Sequence, residues 1–258
     1  MTEEEAKASA VEPSVPPDLA RRLEEGLGMG FLPTVFILLA GHERYLRAAT
    51  EAFLAQQLDA VEEHGETVRR LGADAAARLV QHPWRLDAAA REIGSLIDAY
   101  NVVNPPSLLF TLFLSPAPTR SFRIMEWPLP PRPTHPDRRA LLADIDACHG
   151  SFRLPGFWRE LAAAWPEHAA SAWKLVRALP EQAGFARACE DVRSLALGMV
   201  GEGAPAPAAL GCTPAEAAAI ARILSFYAIV IPTMVIEIEC LRHALATAVG
   251  PLSGKPGR

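Results

Sequence analysis

The sequence has no C-x-x-C pair, no run of basic residues and no stretch of strict apolar–polar alternation. It also has no uninterrupted apolar segment of about 20 residues, the length that spans a bilayer. Each absence closes a class. The four cysteines (Cys148, Cys189, Cys212, Cys240) are far apart in 258 residues, which reads as reduced thiols in a cytoplasmic protein. Lys and Arg are scattered and the net charge is −5, which excludes the concentrated basic surface of a nucleic-acid binder. The seven histidines form no ligand-spaced cluster with carboxylates or cysteines, so no metal or other cofactor is expected. The longest apolar run, 223–236 ("ILSFYAIVIPTMVI"), is too short for a membrane span and carries Pro232. A buried core helix broken at Pro232 is expected there. The acidic first 17 residues lack the basic start and apolar centre of a secretory leader.

What is present points to helices. Half the residues are hydrophobic and 21% are charged, the balance of a globular protein with a real core. Apolar spacings of three and four recur along 32–71, with Gly41 an expected break, and along 87–100, where Ala90, Ile93, Leu96 and Ile97 share one stripe. The fold class expected is all-α. Between Ser115 and Arg139 lie seven prolines, which preclude a regular helix and predict an extended connection. The expected layout is a tail at 1–16, a helical repeat at 17–114, a proline-rich linker at 115–139, a second repeat at 140–249 and a tail at 250–258.

The two halves echo each other. "LPTVFILLA" from Leu32 aligns with "LPGFWRELA" from Leu154, and "AYNVVNPPSLLFTLFL" aligns with "FYAIVIPTMVIEIECL", pairing Tyr100 with Tyr227 and Pro105 with Pro232. Such a repeat predicts proline-broken helices meeting near a pseudo-two-fold axis, a natural place for a pocket. The asparagines do not recur, because Ala228 and Ile231 stand opposite Asn101 and Asn104.

In their order and spacing, "FLPTVFILLAGHERYL", "YNVVNPPSLL", "ELAAAWPEHAASAW" and "IEIECL" resemble the group I 2-haloacid dehalogenases, over roughly 23–245. That resemblance implies direct hydrolysis without metal or covalent ester. A carboxylate activates a water, an asparagine before a proline helps hold it, and the water displaces halide at C2 of a short 2-halo acid. The chemistry needs an oriented nucleophile, a base and an apolar cradle. The asparagine–proline pair matches Asn104-Pro105. The family's catalytic aspartate, which precedes a phenylalanine before the first helix of the second half, falls at Gly156 or Phe157, where there is no carboxylate. Thr34 and Ser107 stand where the family carries an aromatic and a tyrosine.

Asn104 is therefore the candidate for positioning water, or equally a helix-end asparagine bonded to backbone before Pro105. Glu237 and Asp98 are the candidate bases, Glu237 because a carboxylate in an apolar stretch has a raised pKa. An ion pair of Glu237 or Glu239 with Arg222 or Arg242 is the plainer alternative. Asp144 and Asp146 would reach a pocket only if their loop folds back. Thr34, Ser107, Phe157 and Trp158 are the candidate substrate contacts, although the aromatics serve equally as core. Cys148-His149 is adjacent in sequence and so unsuited to a thiolate–imidazole pair. "GLGMG" at 26–30 reads as a helix C-cap and turn, not a phosphate loop. Two functions follow. One is a hydrolase resembling the 2-haloacid dehalogenases, without their matching base. The other is a non-dehalogenating relative that binds a small apolar acid or other ligand between the repeats. A helical interaction protein without a pocket is a third reading. The expected partner is a small molecule, with no nucleic acid and no membrane, and a homodimer is compatible with each reading.

Overall fold

Apolar residues spaced by three and four bury one stripe of each helix, and the described residues contain helices and turns with no strand. The structure, a computed structural model, describes residues 17–18, 21–22, 34–57, 60–79, 84, 89–115, 137–150 and 155–249. The expected tails, the "GLGMG" turn and nearly all of the proline-rich linker lie outside the described residues. So does the side chain of Thr34.

In chain order, α1 (Thr34–Leu39) leads through a 3-10 turn at Ala40–His42 into α2 (Glu43–Gln57), so the chain does turn at Gly41. Then come α3 (Val61–Leu79) and α4 (Ala90–Leu114). Beyond the linker lie α5 (Arg138–Cys148), α6 (Gly156–Ala164), α7 (Pro166–Val176), α8 (Phe185–Met199) and α9 (Pro214–Val249). The longest helices, α4 and α9, pack along each other, and α3 packs against both. Helix α5 starts at Asp137, whose carboxylate accepts the Ala140 N–H at 2.8 Å. Helix α9 starts at a reciprocal box: Glu216 accepts the Thr213 N–H at 2.7 Å while Thr213 Oγ1 accepts the Glu216 N–H at 3.3 Å. Pro214 at the first helical position needs no donor there.

The expected breaks at Pro105-Pro106 and Pro232 are not breaks. Helix α4 runs through the first pair and α9 through the second site. A helix-interior proline removes one ladder bond and costs ~3 kcal/mol in isolation, so continuity has to come from tertiary packing. All three prolines are buried. Gly65 of α3 lies against Pro106, and a Cβ on it would sit 3.3 Å from the Pro106 ring. Just past the prolines, Ser107 Oγ donates to the Val103 carbonyl at 2.7 Å and Thr233 Oγ1 to that of Ile229 at 3.3 Å. These hydroxyls bond carbonyls beside, not at, the missing ladder positions, and such back-bonds do not stabilise a helix, so the continuity rests on packing.

The uninterrupted helix is long and apolar enough over Pro214–Thr247 to cross a membrane, and 56% of its most apolar window is buried inside the protein. Its residues Val235, Ile236, Ile238 and Leu241 are core, and Gly72 of α3 lets Val235 approach so closely that a Cβ there would meet it at 2.8 Å. In the first half the core is a cluster of Phe36, Phe53, Phe110 and Phe113. Where α4 meets the second half it is a line of rings from Tyr100 through Phe157 and Trp158 to Trp173.

Candidate functional site

Residues one helical turn apart share a face, so Tyr100 and Asn104 of α4 point the same way, with Asn101 beside them. The N-terminus of α6 meets that face. Tyr100 donates its hydroxyl to Glu160 Oε1 at 2.7 Å, and its ring packs edge-on to Phe157 at 5.5 Å. The hydroxyl lies where a side chain on Gly156 would have to go, 2.6 Å from an ideal Cβ. Burial, reinforced by the bond to Glu160, pushes the phenol well above its ordinary pKa. Tyr100 is therefore a neutral donor across the accessible pH range.

Asn101 is buried, and its carboxamide nitrogen has no hydrogen-bond partner; the same is true of the carboxamide nitrogen of Asn104. An unpaired buried amide donor is costly, on the order of 1–3 kcal/mol, and two within a turn are unusual. Neither Glu237 nor Asp98, the carboxylates expected as bases, is hydrogen-bonded to that nitrogen of Asn104. Asp98 lies six residues earlier on α4, exposed, and faces Arg69 and Glu239. Glu237 is buried elsewhere, as described next. Ser107 spends its hydroxyl on the Val103 carbonyl. Phe157 and Trp158 are fully buried core rings.

Glu237, expected as a candidate base, and Trp158, expected as a substrate contact, belong instead to a second polar cluster with His149, which the sequence reading set aside. Glu237 Oε2 lies 3.2 Å from His149 Nε2 and accepts the Trp158 indole N–H at 3.2 Å. His149 caps α5, and its Nδ1 lies 2.7 Å from the Ile145 carbonyl. Both ring nitrogens thus face oxygen atoms, an arrangement that favours the doubly protonated ring. Burial opposes that charge, but Glu237 and the Ile145 carbonyl outweigh it and raise the pKa above the ordinary value. Next to it, Asp144 binds Arg177 through Nε at 2.7 Å and Nη2 at 3.2 Å, and accepts the Trp173 indole N–H at 2.7 Å. Asp144 is thereby committed within the second half. Burial pushes the Cys148 thiol up to about 12, so no thiolate forms beside His149. Glu239, not Glu237, makes the expected arginine pair, to Arg242 at 2.7 Å. Among the described residues no group of three or more His, Cys, Asp or Glu could hold a metal ion.

No family model and no curated protein sequence matches the chain. Solved structures do. A mutant D-2-haloacid dehalogenase superposes with a TM-score of 0.73 at 12% identity, covering 88% of this chain and 91% of that one. The enzyme in complex with L-LA superposes equally well, at 12% identity, over 95% of this chain and 93% of that one. The chain has the fold of these dehalogenases. A mutant complexed with D-2-CPA gives the same TM-score, over 90% of this chain and 93% of that one. At this identity the likeness establishes architecture; the side chains around Asn104 have to speak for chemistry.

Those side chains make a local prediction. Gly156→Ala is expected to cost about 1–3 kcal/mol, the usual price of overpacking, because the Tyr100 ring is rigid, buried and bonded at its tip. The double substitution Gly156→Ala/Tyr100→Phe should recover most of that loss, since the next ring atom is 3.5 Å from the Cβ. Urea unfolding of the four-member mutant cycle measures it. Additive costs would mean that the two residues do not compete for the same space.

Proposed function

We propose that this chain is a non-dehalogenating relative of the 2-haloacid dehalogenases that binds a small, largely apolar molecule between its halves, with Asn104 as a polar contact. One observation carries the reading. The resemblance puts the catalytic aspartate at Gly156 or Phe157, neither of them a carboxylate, and at Gly156 the Tyr100 hydroxyl occupies the space that a side chain would need. The nearby carboxylate, Glu160, accepts the Tyr100 hydroxyl. It is held at the far side of that tyrosine and not at the amide. Without a base to take its proton, a water held by Asn104 is too weak a nucleophile for displacement at carbon. Among the described residues no carboxylate is bonded to the unpaired Asn104 nitrogen, which suits recognition better than turnover. Phe157 and Trp158 contribute to the apolar wall of this reading, and Thr34 and Ser107 stand where the catalytic relatives carry larger side chains. The protein acts in the cytoplasm, alone or as a homodimer, with no nucleic-acid or membrane partner.

The test is halide release. Purified protein at high concentration, incubated with each enantiomer of 2-chloropropionate and 2-bromopropionate, is expected to release no halide above the buffer control. Release that disappears in Asn104→Ala would overturn the proposal and restore the hydrolase.

A further inference from the structure

The polar groups on the middle turn of α4 describe the ligand more closely. Asn101 and Asn104 are three residues apart, so their Cβ atoms lie about 5–6 Å from each other on one face. Each brings a buried carboxamide nitrogen with no hydrogen-bond partner, and Asn101 itself is only 6% exposed. The same turn also lacks a donor. Pro105 has no N–H with which to bond the Asn101 carbonyl, so that acceptor has no ladder partner. Side-chain donors and a backbone acceptor without a ladder partner thus occur together, on a turn whose Asn101 is buried, Asn104 half-buried and Val102 exposed.

Charge decides which complement fits. A carboxylate would satisfy two N–H donors, but a buried anion also needs a counter-charge. No described hydrogen bond or ion pair joins a cation to Asn101 or Asn104. A carboxylate, Glu160, is bonded to Tyr100, which neighbours Asn101 and lies one turn before Asn104. Arg159, exposed on the same helix, acts on Tyr100 more weakly than Glu160 does. Among the described residues an anionic ligand would therefore meet that carboxylate with no cation bonded to either asparagine. A neutral group that both accepts and donates would meet neither penalty.

We infer that the Asn101–Asn104 turn of α4 recognises a neutral carboxamide group on a small apolar molecule, not the carboxylate of a 2-halo acid. The amide oxygen takes the two side-chain donors and the amide N–H donates to the Asn101 carbonyl. This inference rests on the ligand-binding reading above, and narrows it from a small molecule to a class.

Propionamide and propionate are near-isosteres that differ in charge, so they isolate the question. With uniformly 15N-labelled protein, propionamide titration is expected to shift the side-chain amide resonances of Asn101 and Asn104. Its affinity should exceed that of propionate roughly tenfold or more, the scale of an uncompensated buried charge. Asn101→Ala and Asn104→Ala should each remove the binding while the protein stays folded by circular dichroism. Should either fail to fold, Glu160→Gln still tests the charge argument, because Glu160 is exposed and its replacement keeps an acceptor for Tyr100. That variant should narrow the preference by raising propionate affinity several-fold. Propionate binding as tightly as propionamide through the same asparagines would overturn the carboxamide class and leave the ligand-binding reading standing. Neither compound shifting any resonance at high millimolar concentration would overturn both. Propionamide binding unaffected by either asparagine substitution would overturn the site.

Discussion

Glu237→Ala is expected to destabilise the protein by about 3–5 kcal/mol, the range for removing one partner of a buried charge pair. The His149 imidazolium and the Trp158 indole N–H would both lose their acceptor in a region closed to water. Glu237→Gln should cost less, because it keeps one oxygen for the indole while giving up the charge. The pair also sets a pH dependence. The folded pKa of His149 is raised above the unfolded value of about 6.5. A group shifted upward contributes its full stabilisation below the unfolded pKa and loses it as pH rises through the folded one. Wild-type stability, measured by guanidinium unfolding, should therefore fall as pH rises above about 6.5. The Glu237→Gln protein should show a flatter profile. Equal slopes in the two proteins would mean that the imidazolium is not held by Glu237.

Asp144→Ala is the second large loss expected, again about 3–5 kcal/mol. Asp144 and Arg177 are both buried, and the guanidinium grips the carboxylate through two nitrogens. Truncation leaves a charged fork and the Trp173 N–H facing a void where Asp144 joined α5 to α7. The measurable consequence includes spectroscopy as well as stability. Trp173 stacks edge-on to Trp158 at 5.1 Å, so loss of its anchor should alter the near-ultraviolet circular dichroism before global unfolding. Asp144→Asn, which retains an acceptor, should restore the spectrum more fully than the stability. A loss under 1 kcal/mol for Asp144→Ala would show that Arg177 finds another acceptor at little cost.

These two clusters also explain what could and could not be read from the residues. Helical class followed from local pattern, because a buried stripe needs only spacings of three and four. The turn at Gly41 and the buried character of Phe157 and Trp158 were legible for the same reason. The pairing of Glu237 with His149 was not, since 88 residues separate them. Arg242, five residues from Glu237 and three from Glu239, offered a nearer partner. Local spacing pointed correctly for Glu239, which takes Arg242. It could not foresee that Glu237, on another face of the same helix, points into the second half.

The prolines show the same division from the other side. Local chemistry predicts a break at Pro105-Pro106 and at Pro232, because each removes a backbone donor. Both helices continue because α3 places a glycine against Pro106 and because α4 and α9 bury each other. Neither compensation is adjacent in sequence to the residue it supports.

By itself, then, the sequence determined an all-helical chain, the resemblance to 2-haloacid dehalogenases, the suspicion of Asn104 and the lack of an aspartate at 156 or 157. Those are properties of residue type and order. Only the tertiary structure decided that Tyr100 reaches across from α4 to fill the space beside Gly156, that Asn101 joins Asn104 in being unpaired, and that Glu237 is engaged elsewhere. Each depends on which helix faces which at a distance of a few ångströms. That arrangement is set by the packing of the whole core, and no local spacing encodes it.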